Sequence, residues 1–166
     1  KENRLEIGGC DTVELAKKFG TPLYVMDEQL LRDNCRIYKN AMDKYYNGNG
    51  LVLFASKAFC TLAMCKIAEQ EGLGLDVVSG GELYTAIKAG FPMEKVYFHG
   101  NNKTYNELET ALDNNVGRIV VDNRQELINI NEIASQKGKT VKISFRIKPG
   151  VEAHTHDFIR TGQIDS

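Results

Sequence analysis

This sequence predicts an α/β fold of parallel strands alternating with helices, and three observations predict it. Five short runs rich in β-branched, apolar and aromatic residues recur at intervals of roughly 20–24 residues, near the minimum for a strand, a helix and two loops. Each interval carries an apolar stripe at helical spacing. No two-residue hairpin signal joins consecutive runs. Right-handed crossovers then give either an open doubly wound sheet or the first five strands of an eight-stranded (β/α) barrel, which needs about 250 residues in full. The pattern leaves those two architectures open.

The elements follow in order. Residues 21–26 (Thr-Pro-Leu-Tyr-Val-Met) read as a short strand outside the βα array. A long helix spans 28–46, capped by Asp27, with Leu30, Leu31, Asn34, Ile37, Tyr38, Ala41 and Tyr45 on one face and Asn47-Gly48-Asn49-Gly50 as its exit turn. The five runs are 51–55, 73–78, 95–99, 118–122 and 141–147, apolar on both faces as buried parallel strands are. Between them, four stripes mark helices: Leu62, Cys65, Ile67 and Ala68; Leu83, Ala86 and Ile87; Leu108, Ala111 and Leu112; Leu127, Ile130, Ile133 and Ala134. Ser79 with Glu82, and Thr104 with Glu107, have capping-box spacing, and Asp122 with Gln125 is a similar start signal. Gly90, followed by Pro92, and Gly138 are stop signals. The tail 149–166 lacks a period and reads as loop.

The chain has 166 residues, 42% hydrophobic and 26% charged, with net charge −1. Such a balance gives no basic footprint for nucleic acid. No apolar run reaches the ~18 residues of a membrane span, and no signal-peptide core follows the N-terminus. Cys10, Cys35, Cys60 and Cys65 form no C-x-x-C pair, which predicts reduced thiols and a cytoplasmic location. The chain starts without Met and stops on Ile164-Asp165-Ser166, so a fragment is expected.

Chemistry is expected where the strands end. Lys57, Asp76, His99, Asp122 and Arg146 each lie at or near the C-terminal end of a different run, the edge that carries the ligand site in both architectures. Period-two alternation puts Lys57 on the face of Leu51, Leu53 and Ala55. A lysine continuing a buried face must be paired or neutral, and an amine of lowered pKa is suited to Schiff-base chemistry. Asp76 and Glu82 are the nearest carboxylates to hold it; Glu82 equally suits helix capping, and Asp122 reads as a helix cap. Gly72-Leu73-Gly74 and Gly80-Gly81 complete no phosphate-loop pattern, and the residues 100–103 suit a turn as well as an anion site. His154, His156 and Asp157 have no second ligand group at zinc spacing, so no metal site is expected. No G-x-S-x-G elbow points to a hydrolase, and Cys60 and Cys65 read as packing.

Phe54-Ala55-Ser56-Lys57-Ala58 resembles the cofactor-lysine strand of the fold type III, alanine-racemase-like pyridoxal-phosphate enzymes. The stretch 72–83, with Lys88-Ala89-Gly90-Phe91-Pro92, His99-Gly100-Asn101-Asn102-Lys103-Thr104 and Arg146-Ile147-Lys148-Pro149-Gly150-Val151, is similar to the diaminopimelate decarboxylase branch of that family. Residues 154–162 (His-Thr-His-Asp-Phe-Ile-Arg-Thr-Gly) resemble that branch's H-T-H-x-(Y/F)-I-x-T-G loop.

The resemblance implies the (β/α)8 TIM-type barrel, with about its first five βα units in 28–166 and a strand of a separate β-domain in 1–27. It implies that Lys57 binds pyridoxal 5′-phosphate covalently, that Asp76 and Glu82 line that lysine's side of the site, and that Arg146 reaches the cofactor. It implies pyridoxal-phosphate-dependent decarboxylation of meso-diaminopimelate to L-lysine and CO2 by a homodimer. Alternatives are a related decarboxylase acting on ornithine, arginine or carboxynorspermidine, a non-catalytic pyridoxal-phosphate carrier, and a doubly wound binding module. The family's ring-stacking histidine, glycine-rich phosphate loop and C-terminal C-E-S-x-D segment are not in this sequence. Residues 1–166 alone, with added pyridoxal phosphate, are therefore expected to release no CO2 from diaminopimelate; substantial turnover in a CO2-release assay would refute this.

Overall fold

The structure, a computed structural model, describes residues 4–147. It opens on an antiparallel hairpin, β1 (Glu6–Ile7) and β2 (Cys10–Asp11), with Glu6 opposite Asp11. Helix α1 (Thr12–Phe19) follows, capped by Asp11, whose carboxylate accepts from the N–H groups of Val13 (2.8 Å) and Glu14 (3.2 Å). None of these three elements is expected from apolar periodicity, because they are short and bury nothing fully. The strand expected at 21–26 is not formed: the segment is a bend followed by irregular chain, and none of the described strands pairs with it. Alternating side chains give a tendency to extend, whereas a strand needs a ladder partner.

Helix α2 (Glu28–Tyr46) has the expected limits. Asp27 accepts from the Leu30 N–H, and Asn47 ends the helix in the left-handed region at φ 51°. Its inward face differs from the expected stripe. Cys35 is the buried residue, with Leu31 packed against the core, while Leu30, Ile37, Tyr38 and Tyr45 are exposed.

The array then runs β3 (Leu53–Ala55), α3 (Leu62–Gln70), β4 (Gly74–Val77), α4 (Gly80–Lys88), β5 (Val96–Phe98), α5 (Tyr105–Asp113), β6 (Arg118–Val121), α6 (Arg124–Lys137) and β7 (Ile143–Phe145). All five strands are parallel and lie side by side in chain order. A doubly wound sheet reverses its strand order at a switch point; an order without reversal is that of consecutive barrel units. The register gives the two faces opposite characters. Leu75, Val77, Val96, Phe98, Ile119 and Val121 share one face, each at most 2% exposed beneath the helices. Asp76, Tyr97 and Arg118 share the other and are half-buried.

Helix stripes match the sequence closely, with one rotation. Leu83, Ala86, Leu108, Ala111, Leu112, Ile130 and Ile133 are buried as expected, but in α3 Met64 takes the inward place and Leu62 is exposed. Gly74 is needed for close approach: a Cβ there would meet the Lys95 carbonyl and the Leu53 side chain. No helix among the described residues is long and apolar enough to cross a membrane.

Two charge contacts tie the elements. Arg36 and Arg32 both bond Glu71, the C-cap residue of α3, at 2.7 and 2.9 Å, and so hold α2 against α3. The deeper contact joins Lys103, after β5, to Glu126 of α6, with 1% and 3% of their side chains exposed. Lys103 Nζ donates to the Gly100 and Val120 carbonyls and stands 2.9 Å from Glu126 Oε1. Neither Glu126 oxygen has an aligned hydrogen bond among the described residues, so the contact is one of charge. Leaving either ion buried alone is costly. Lys103→Met is expected to destabilise the protein by about 3–5 kcal/mol, and Lys103→Met with Glu126→Leu by much less, in urea unfolding.

The guanidinium groups of Arg36 and Arg32 hold the Glu71 carboxyl below the usual glutamate range. A carboxyl lowered on folding stabilises the protein above its unfolded-state pKa, and that contribution is lost as pH falls through the folded value. Urea midpoints below about pH 4.5 should therefore fall with pH less steeply in Glu71→Gln than in the parent.

Candidate functional site

The functional edge is built by β-strand register. Ala55 pairs with Asp76 and Asp76 with Tyr97, while Val120 pairs with Ser144. Two residues further along the same face come His99, Asp122 and Arg146. Of the polar strand-end residues singled out from sequence, Asp76, His99, Asp122 and Arg146 therefore share one face and one edge.

Lys57 is placed differently from its alternation. Strand β3 ends at Ala55, and Ser56–Ala58 form a 3₁₀ turn. Ser56 is buried at 1% exposure and Lys57 is exposed, so the requirement that a buried lysine be paired or neutral does not apply. Its amine has no ion pair within 4 Å among the described residues, yet its charge favours the ionised form of Asp76.

Glu82 does not close the capping box expected with Ser79. Ser79 caps α4 by accepting from the Glu82 N–H at 3.3 Å. The Glu82 carboxylate turns instead to the Val78 N–H (2.9 Å) and the Ser56 hydroxyl (2.5 Å), while Ser56 Oγ lies 2.8 Å from the Asp76 carbonyl. This bridge fixes the Lys57 turn to the end of β4. Nothing in the periodicity marks Ser56; its neighbour Lys57 draws the attention.

Asp76 is half-buried. Burial pushes its carboxyl up, against the lowering effects of His99 and Lys57; Glu82 adds to the rise. His99 Nδ1 stands 3.8 Å from Asp76 Oδ1. Asp122 is not the cap of α6. Asn123 holds that place, accepting from the Glu126 N–H at 2.9 Å, so the start signal lies one residue later than Asp122 with Gln125. Asp122 instead accepts from Arg146 Nη1 at 3.1 Å, which orients that guanidinium at the neighbouring strand end.

The Gly80 N–H, one candidate phosphate donor, is already bonded to Glu107 Oε1 at 2.6 Å. Glu107 also completes a capping box with Thr104. Residues 100–103 form an irregular loop whose Lys103 side chain is buried. Burial pushes the Cys65 thiol up to about 11, consistent with packing. His154, His156, Asp157 and the rest of the 154–162 loop lie outside the described residues. Among the described residues no three His, Cys, Asp or Glu cluster as a metal site.

An exposed amine on a fixed turn, two carboxylates behind it and a guanidinium at the same edge suit an anionic aldehyde. The amine can condense with the carbonyl, and the guanidinium can meet negative charge. Pyridoxal phosphate has this chemistry, and the donor set fits it.

Comparison with known proteins gives concordant matches. Residues 28–166 match the family model described as the pyridoxal-dependent decarboxylase, pyridoxal binding domain. The chain is 57% identical over 166 residues to a diaminopimelate decarboxylase of Bacillus methanolicus and 52% identical over 169 residues to that of Bacillus subtilis (strain 168). Both matches take in 100% of this chain and 38% of the relative, so the chain spans under two fifths of their length. The structure of a diaminopimelate decarboxylase from M. jannaschii in co-complex with L-lysine superposes with a TM-score of 0.83 at 41% identity, covering 96% of this chain and 37% of that one. The lysine/ornithine decarboxylase from Vibrio vulnificus complexed with putrescine shares the fold, with a TM-score of 0.68 at 23% identity over 82% of this chain and 35% of that one.

Removing the Glu82 carboxylate leaves the Val78 N–H without this acceptor and the buried Ser56 hydroxyl with the Asp76 carbonyl alone. Glu82→Ala is expected to destabilise the protein by about 1–3 kcal/mol, and Glu82→Gln, which keeps one acceptor oxygen, by less, in thermal or urea unfolding.

Proposed function

Because this chain belongs to the pyridoxal-dependent decarboxylases, with the pyridoxal-binding domain over 28–166, we propose that it is the cofactor-bearing part of a decarboxylase converting meso-diaminopimelate to L-lysine and CO2. The observation that carries the reading is the placing of Lys57, Asp76, Glu82 and Arg146 at one edge of a sequentially ordered parallel sheet. The whole protein's activity rests on residues beyond this chain as well. Identity of 57% to a curated diaminopimelate decarboxylase supports the substrate assignment. So does the L-lysine in the M. jannaschii co-complex.

Pyridoxal phosphate, when bound, supplies the electron sink that makes loss of the α-carboxylate as CO2 feasible. Lys57 would hold the cofactor through its amine, and Nζ is the atom placed to carry a proton there. Asp76 places negative charge beside that amine. Glu82 fixes the turn through Ser56. Arg146, oriented by Asp122, meets negative charge on the cofactor. We assign residues 1–27 to a second, β-rich domain and 28–166 to the barrel; the start of the family match at residue 28 supports that boundary. The functional unit on this reading is a cytoplasmic homodimer, as the family resemblance implies; the four free cysteines of the chain suit a reducing compartment.

Borohydride reduction of the full-length holoprotein, followed by peptide mass mapping, should place the cofactor on Lys57. Lys57→Ala should lower decarboxylation by about a thousand-fold or more. A label at another lysine would overturn the assignment. Turnover of ornithine or arginine in preference to diaminopimelate would replace the substrate.

A further inference from the structure

Asp76 and His99 face one another across β4 and β5, and the reaction described above makes no use of His99. Register puts them together: Asp76 lies opposite Tyr97, and His99 projects from the same face two residues on. The backbone around His99 is held. Its N–H donates to the Val77 carbonyl at 2.8 Å. Gly100 follows at φ +112°, so near Val78 that a Cβ would come within 2.9 Å of the Val78 carbonyl oxygen. Nδ1 is thus presented to the Asp76 carboxylate at 3.8 Å. Nε2 is shut from solvent and has no hydrogen-bond partner among the described residues. A histidine serving only to pack usually has its buried nitrogen satisfied.

The charges around Asp76 define what His99 does there. Lys57 faces it from the 3₁₀ turn, Glu82 from α4 and His99 from β5. Lys57 and His99 favour the carboxylate; burial and Glu82 oppose it. On the reading under Proposed function, the Lys57 amine would be taken up in holding the cofactor and could not serve Asp76 alone. His99, 3.8 Å away and not engaged by the reaction, is the other group that favours the carboxylate.

We propose that His99 is a positioning residue for this reaction, acting through Asp76 to orient that carboxylate and keep it ionised beside Lys57. The inference rests on the proposed decarboxylase reading, and its test separates the two. His99 favours the Asp76 carboxylate, so its removal raises the pH at which Asp76 ionises. In the full-length holoenzyme, His99→Ala should lower kcat about ten-fold or more, with KM changed less than about three-fold. The acid limb of its pH–rate profile should move up by about half a unit or more. His99→Asn keeps a polar group near the Nδ1 position without the charge; it should recover most of kcat and leave the limb displaced. If His99→Ala does not fold, the limb of His99→Asn decides. With Lys57 labelled by borohydride in every variant, an acid limb unmoved in both overturns the role of His99, whatever happens to kcat. No label at Lys57 in the parent protein overturns the reading beneath it.

Discussion

The structure depends on a parallel sheet that is apolar on one face only in its buried half. Leu75, Val77, Val96, Phe98, Ile119 and Val121 lie under the helices and are almost wholly removed from water. At about 25 cal/mol per Å² of apolar surface, burial of this kind dominates the favourable side of folding. It also frees the opposite face from any packing duty under the helices. Polar residues on that face sit at the strand ends with their backbone held by the ladder. Asp76, His99, Asp122 and Arg146 owe their common edge to this division.

Strand order is the second constraint. Because β3 to β7 follow one another without reversal, every crossover helix lands on the same side. The site is then a row of strand ends, each with its own βα loop behind it. The loops do more than connect. The Ser56 turn is bonded to Glu82 at the start of α4, and Gly80 to Glu107 at the start of α5, so each loop leans on the next unit. Lys103 continues the series by reaching Glu126 at the start of α6. Glutamates in first helical turns thus serve as ties between units, and Glu107 does so while also capping its own helix. Lys57 stands on the first of these tied turns, which is why an exposed amine has a defined place.

The sequence alone determined the five βα units, the limits of the long helix and the gathering of polar residues at strand ends. These follow from periodicity, caps and strand polarity, all of them local properties of the chain. The family resemblance, carried on Phe54-Ala55-Ser56-Lys57-Ala58 and 72–83, pointed to the barrel and the cofactor and implied the role proposed for Lys57. Strand order decided between barrel and doubly wound sheet in the structure itself, since order is a non-local pairing that no window of residues encodes. The same cause explains the misplacements. Residues 21–26 form no strand for want of a ladder partner, and α2 turns Cys35 and Leu31 to the core while most of its apolar stripe stays exposed. Asp122 answers Arg146, 24 residues away, and Glu82 answers Ser56, 26 residues away. Side chains with two available partners take the one that tertiary packing brings within reach, and only the folded chain decides which that is.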